Sequence, residues 1–238
     1  MQKREEEIII PKSGSHKTKE LKEESEKIRQ SMAERMRRIT EEFESGFDLI
    51  RRYPKSVSFF GSARCSEDSE YYQKARSLAK KISDLDFAII TGGGPGIMAA
   101  ANRGAFEAGG ESVGLNIELP DEQFINEYVT GKQEFHYFFS RKMMLSFSAE
   151  AYLFFPGGFG TLDEFFEITT LVQESKIYPV PIICVGSEYW EPIDKLIKEN
   201  LRDKFKTISP DDPNLYKILD DEDKILEIIK NAPIRKEI

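Results

Sequence analysis

Twice in this chain a short, unbroken apolar run gives way to a glycine-rich turn and then to a stretch of helical character. Phe87-Ala88-Ile89-Ile90 leads into Thr91-Gly92-Gly93-Gly94-Pro95-Gly96 and on to Ile97-Met98-Ala99-Ala100-Ala101. Ala151-Tyr152-Leu153-Phe154-Phe155 leads into Pro156-Gly157-Gly158-Phe159-Gly160-Thr161-Leu162-Asp163-Glu164. Apolar runs of that length, without polar alternation, fit strands buried on both faces of a parallel sheet. The glycines let the backbone turn sharply and aim its amides at an anion, to which the dipole of the following helix adds partial positive charge. In an open parallel sheet both loops fall at the carboxyl edge of the strands, which predicts that they share one ligand cleft.

Size and charge narrow the field. Of the 238 residues, about 180 remain for a single well-buried α/β domain once a polar N-terminal segment is set aside. A net charge of −8 argues against a surface that tracks nucleic-acid phosphates and leaves room for one small basic pocket. Cys65 and Cys184 are far apart and form no CxxC pair, so neither a disulfide framework nor a cysteine metal site is indicated, and a reducing, cytoplasmic setting fits. No run approaches the roughly 20 apolar residues of a membrane span, and the N-terminus lacks the apolar core of a signal peptide, so a soluble protein with no membrane partner is expected. With only His16 and His136, a histidine metal centre or a Ser-His-Asp triad has little to draw on.

Residues 1–30 are dense in Lys and Glu and read as solvated or disordered, with no part in catalysis. From Ser31 to Arg52 the apolar positions Met32, Met36, Ile39, Phe43, Phe47 and Ile50 recur every three or four residues, which predicts an amphipathic helix packed on the domain or on another subunit. Residues 31–238 are expected to form one domain. Its strands are expected at Ser56–Phe60, Phe87–Thr91, Ser112–Ile117, Phe135–Phe139, Ala151–Phe155 and Val180–Val185. Helices are expected at Tyr71–Leu85, Ile97–Ala108, from Arg141, at Thr161–Glu174, Trp190–Asn200 and Asp221–Lys230, with a long excursion over Pro120–Gly131. Such strict alternation predicts a Rossmann-like, doubly wound, mainly parallel sheet with helices on both faces.

Each motif also has a plainer reading. Gly92-Gly93-Gly94-Pro95-Gly96-Ile97 does not complete G-x-G-x-x-G, and neither loop carries the Lys-Ser/Thr of a P-loop, which weakens dinucleotide and ATPase readings. Thr161-x-x-Glu164 is also a capping box, in which Glu164 would serve only its own helix; either way Glu164 falls at the rim of the cleft. Arg141-Lys142 places two cations at the start of a helix, where the dipole disfavours them, so an anion or carboxylate must compensate; the alternatives are a substrate and an ordinary salt bridge. Ser62, after Gly61 at the end of the first strand, either lines the cleft or closes a turn.

In combination these features are recognisable. Gly61-Ser62, the triple-glycine Pro-Gly loop, Arg141-Lys142 and the Pro156–Glu164 motif occur in the order found in the LOG family of cytokinin riboside 5′-monophosphate phosphoribohydrolases, often mislabelled lysine decarboxylases. The resemblance covers roughly Ser56 to Val185, and the N-terminal helix and Gly114–Pro120 segment resemble the longer bacterial members. It implies hydrolysis of the N-glycosidic bond of a purine nucleoside 5′-monophosphate such as AMP, releasing base and ribose 5-phosphate. Arg141 and Glu164 are implied as the catalytic pair. The glycines of the three loops (Gly61, Gly92, Gly93, Gly94, Gly96, Gly157, Gly158, Gly160), with Ser62, Lys142 and Thr161, are implied to bind the substrate. No metal or cofactor is implied, and a homodimer or higher homo-oligomer is. The competing reading is a nonhydrolytic nucleotide-binding or cofactor-carrier protein of the same fold. A true decarboxylase would instead require a pyridoxal phosphate lysine, and Lys142 is the only lysine beside the motifs.

Overall fold

The computed structural model describes residues 15–118 and 125–234. The start of the polar N-terminal segment and the first residues, 120–124, of the excursion expected over Pro120–Gly131 lie outside them. Seven strands form one sheet in which every neighbouring pair is parallel: β1 (Ser56–Phe60), β2 (Ala88–Thr91), β3 (Ser112–Ile117), β4 (Gly131–Phe135), β5 (Ala151–Phe154), β6 (Ile182–Cys184) and β7 (Lys217–Ile218). Their spatial order is β4-β3-β2-β1-β5-β6-β7. The chain therefore winds outward from β1 to one edge, returns to the other side of β1 at β5, and winds outward again. Doubly wound sheets bind ligands at this reversal, because the loops leaving the two central strands diverge and open a crevice. Phe60 is in register with Phe154, so the loops starting at Gly61 and Pro156 leave the sheet side by side.

The helices are α1 (Ser15–Ile50), α2 (Glu70–Ser83), α3 (Ile97–Glu107), α4 (Phe138–Ser146), α5 (Phe159–Gln173), α6 (Ser187–Leu196), continued as a π-helix over Ile197–Lys204, and α7 (Glu222–Lys230). Alternate residues of the central strands feed two cores. Val57, Phe59, Leu153 and Phe155 join Tyr72, Leu78, Ile97 and Ile229, whereas Phe60, Tyr152 and Phe154 join Leu145, Phe165 and Trp190. Phe60 stacks on Phe154 at 4.9 Å between ring centroids. Each such side chain gains roughly 1.5–3 kcal/mol on burial, so a one-residue slip that exchanged the two faces would be prohibitive. This fixes the loops at the strand ends.

Two compact units divide the chain at Glu41/Glu42. The first contains the earlier part of α1, a polar helix with Glu26–Arg29 and Glu34–Arg37 pairs and with Ile28, Met32 and Met36 exposed. The second holds the last turns of α1, whose Phe43, Phe47, Leu49 and Ile50 pack into the Phe154 core, and everything after them.

Several expected boundaries move. The first helix begins at Ser15 rather than near Ser31, so Lys17–Glu24 is helical. The strand expected at Phe135–Phe139 lies at Gly131–Phe135, and the aromatic residues after it open α4. Aromatic residues favour strands on average, but β4 is an edge strand, and an edge tolerates the polar Lys132, Gln133 and Glu134. The two-residue β7 carries too little pattern to be anticipated.

Candidate active site

A cavity of about 920 Å³ opens at the switch point, walled by the loops after β1 and β5, the β2 loop and the first turns of α4 and α5. Of the residues singled out from sequence, Gly61, Ser62, Gly92, Arg141, Lys142, Gly157, Gly158, Gly160, Thr161 and Glu164 line it. The loops are tied together: Ser62 N donates to the Pro156 carbonyl at 3.0 Å, and Ile97 N donates to the Ser62 carbonyl at 3.0 Å. Ser62 closes a turn as well as lining the cavity, its hydroxyl accepting from Arg64 N at 3.1 Å.

Gly93, Gly94 and Gly96 do not reach the lining; they shape it from behind. Asn126 Nδ2 donates to the carbonyls of Gly93 and Gly94, both at 3.0 Å, and to Asn102 Oδ1, which also accepts from the Thr91 hydroxyl at 2.6 Å. Gly96 has φ +67°, and a Cβ there would stand 2.2 Å from the Ser62 carbonyl oxygen, so only glycine lets the two loops meet.

Arg141 and Lys142 come from α4 and meet different fates. Arg141 Nε donates to the Leu115 carbonyl within β3 at 2.7 Å, and a Cβ at Gly92 would lie 2.3 Å from a terminal nitrogen of the same guanidinium. Burial lowers the proton affinity of Arg141 while the Glu164 carboxylate raises it; an arginine stays charged throughout. Lys142 Nζ is held between Asp163 Oδ2 at 2.8 Å and Glu167 Oε2 at 3.0 Å, both on α5. Burial pulls the Lys142 ammonium down, but its bonds to these carboxylates outweigh burial and hold it above the ordinary value. The ordinary salt bridge is therefore realised at Lys142, whereas the partly buried guanidinium of Arg141 is held by the Leu115 carbonyl.

Glu164 is 7% exposed and sits inside the cavity wall rather than at its rim. It forms no capping box: α5 starts at Phe159 with Gly158 at the cap position, so Thr161 already lies within the helix. Its Oε2 is buried without a hydrogen-bond partner. Burial, with the nearby Glu167 charge adding to it, pushes the carboxyl up to about 7 against the pull of Lys142 and Arg141. A buried, unsatisfied carboxyl is costly and marks a candidate site.

At the start of α5 the Thr161 and Leu162 amides both donate to the Gly158 carbonyl at 3.1 Å, whereas the Phe159 and Gly160 amides come too early in the helix for an intrahelical acceptor and lie at the positive end of its dipole. Cβ atoms at Gly158 or Gly160 would meet nothing within 4 Å, so the room on that side belongs to the cavity. Tyr189, for which the sequence offers no signal, holds the loop by donating to the Gly157 carbonyl at 2.7 Å. Also unanticipated are Arg64 and the aromatic residues Phe138 and Phe159 in the lining, Phe159 being 93% exposed.

The family model described as "Possible lysine decarboxylase" matches residues 98–229, more than half of the chain and inclusive of Arg141 and the Pro156–Glu164 loop. The chain belongs to this family, the LOG family. Its curated relatives include the cytokinin riboside 5′-monophosphate phosphoribohydrolase of Rhodococcoides fascians, 26% identical over 162 residues that cover 66% of this chain and 81% of the relative. A probable enzyme of the same name from Arabidopsis thaliana is 26% identical over 152 residues, 61% of this chain and 75% of the relative. Among solved structures, the molybdenum cofactor carrier protein of Chlamydomonas reinhardtii superposes with a TM-score of 0.54 at 21% identity, over 75% of this chain and 97% of that one. The molybdenum cofactor binding protein of Rippkaea orientalis gives 0.52 at 20% identity, over 74% and 93%. These structural likenesses support the Rossmann-like α/β fold. No helix among the described residues is long and apolar enough to cross a membrane.

Proposed function

We propose that this LOG-family protein hydrolyses the N-glycosidic bond of a purine nucleoside 5′-monophosphate, such as AMP or a cytokinin nucleotide, to free base and ribose 5-phosphate. The observation that carries the proposal is Glu164: a buried carboxyl with an unpartnered oxygen, in a cavity that also holds a helix N-terminus and a partly buried guanidinium. The names of the curated relatives support the substrate class.

In this reading the 5′-phosphate rests on the Phe159 and Gly160 amides at the start of α5, which places the ribose beside Glu164, one turn into the helix. The C1′–N bond breaks as positive charge builds on the sugar, and the carboxylate opposes that charge or takes a proton from the attacking water. Water oxygen bonds to C1′, and the departing base nitrogen gains a proton. A carboxyl near 7 is suited to proton exchange at neutral pH. Arg141, with Nε committed to Leu115, supplies positive charge and its terminal nitrogens to the phosphate or the leaving base.

A carrier needs no unsatisfied carboxyl beside its ligand, and the carrier likeness is one of fold. The decarboxylase description does not fit Lys142, because a Schiff-base lysine must lose its proton and this one is held charged between two carboxylates. Chromatography of AMP and adenosine incubated with the protein tests the proposal: adenine is expected from AMP and far less from adenosine. Stoichiometric AMP binding without adenine would instead favour the carrier.

A further inference from the structure

The cations of α4 need a counter-charge, and part of it comes from an unexpected place. Glu42 lies on α1, outside the residues 98–229 matched by the family model. It is 7% exposed, and its carboxylate accepts from the amides of His136 at 2.7 Å and Tyr137 at 3.4 Å and from the Ser140 hydroxyl. These groups surround the N-terminus of α4. The helix's own cap residue, Tyr137, makes no side-chain capping bond, and Glu42, from a distant segment, instead holds the two amides just before the helix and the Ser140 hydroxyl in its first turn. One turn further along α1, a Cβ at Gly46 would stand 2.6 Å from Met144 Cγ, so the two helices meet closely at this crossing.

We infer that Glu42 is a positioning residue for Arg141. The carboxylate pins the first turn of α4, and Arg141 lies at the end of that turn, its Nε reaching the Leu115 carbonyl and its terminal nitrogens passing over Gly92. A small displacement of the helix start would break the Leu115 bond or drive the guanidinium into the β2 loop. The charge of Glu42 also offsets the unfavourable meeting of Arg141 with the positive end of the helix. The anchored part of α1 is thereby a working part of the site.

The test reads the Arg141 Nε–H by heteronuclear NMR in the full-length protein, with the signal assigned through Arg141→Lys. In Glu42→Gln, which keeps the shape and removes the charge, solvent exchange of this proton is expected to quicken about tenfold or more. The indole proton of Trp190, which donates to the Phe154 carbonyl in the core at 3.0 Å, is expected to keep its protection. An unchanged Arg141 signal, or equal loss of protection at both protons, would overturn the inference, the second outcome meaning general destabilisation. Glu42→Asp, which restores the charge, is expected to recover part of the protection. A second arm rests on the proposed hydrolase activity: Glu42→Gln lowers kcat for AMP about tenfold, with no comparable loss in an Arg141→Ala background. If wild type releases no adenine, the hydrolase reading fails while the NMR comparison still decides the role of Glu42.

Discussion

Glu164→Gln should separate stability from activity in a way that depends on pH. The wild-type carboxyl is raised from 4.5 to about 7 in the folded protein, chiefly by burial. Each factor of ten in proton affinity is worth about 1.36 kcal/mol, so ionising Glu164 costs the folded state about 3 kcal/mol more than it costs the unfolded chain. Below pH 4.5 both states are protonated and no such cost exists. As pH rises the unfolded state ionises first, and wild type loses stability until the folded group also ionises, around pH 7. Glutamine does not titrate. Between pH 5 and pH 8 the stability of Glu164→Gln relative to wild type is therefore expected to improve by about 2.5 kcal/mol, or about 1 M in urea midpoint. Comparing the two proteins at each pH cancels the titrating groups that do not interact with Glu164. A difference independent of pH, or one that moves against the glutamine variant as pH rises, would show that Glu164 is an ordinary ionised carboxylate and refute the reasoning.

Other consequences follow from the same geometry. The pH profile of kcat/KM for AMP should rise through about 7 and then level off, because the working form of Glu164 is the carboxylate; a profile flat from pH 5 to 8 would contradict this. Gly92→Ala should put a methyl against the Arg141 guanidinium and lower kcat/KM about a hundredfold, while urea denaturation shows a much smaller effect on stability. Gly96→Ala should destabilise by about 2 kcal/mol or more in urea, since it combines φ +67° with a collision at the Ser62 carbonyl. Phe165→Ala should cost about 3–5 kcal/mol, because its ring packs against Phe154, Trp190 and Tyr216.

The sheet was legible because β1, β2, β3 and β5 are buried runs with unmistakable punctuation, and the glycine loops mark where the chain turns at their carboxyl ends. The loop pattern predicts a shared cleft with Glu164 at its edge, and the family resemblance alone pairs Arg141 with it; both line the cavity. Residues acting through tertiary geometry were not legible. Glu42 looks like one more glutamate on a charged helix, and Tyr189 like one more aromatic; only the fold brings the first to α4 and the second to the Gly157 carbonyl. Glu164 was placed at the rim because the capping-box pattern assumes a helix starting after Thr161, whereas α5 starts at Phe159 and carries the carboxyl inward. For Lys142 the resemblance implied substrate binding and the residues left a salt bridge open; the choice was not legible because its partners, Asp163 and Glu167, lie on another helix.

The central claim is that water, acting beside Glu164, cleaves the bond between base and ribose. Incubating AMP with the wild-type protein and with Glu164→Gln in heavy-oxygen water, and weighing the products by mass spectrometry, tests it directly. Wild type should release adenine together with ribose 5-phosphate carrying one heavy oxygen, incorporated at C1′ and detected promptly before exchange at that position, while Glu164→Gln yields little of either. Unlabelled sugar phosphate in that early sample, equal turnover by the two proteins, or bound AMP recovered intact would contradict the account.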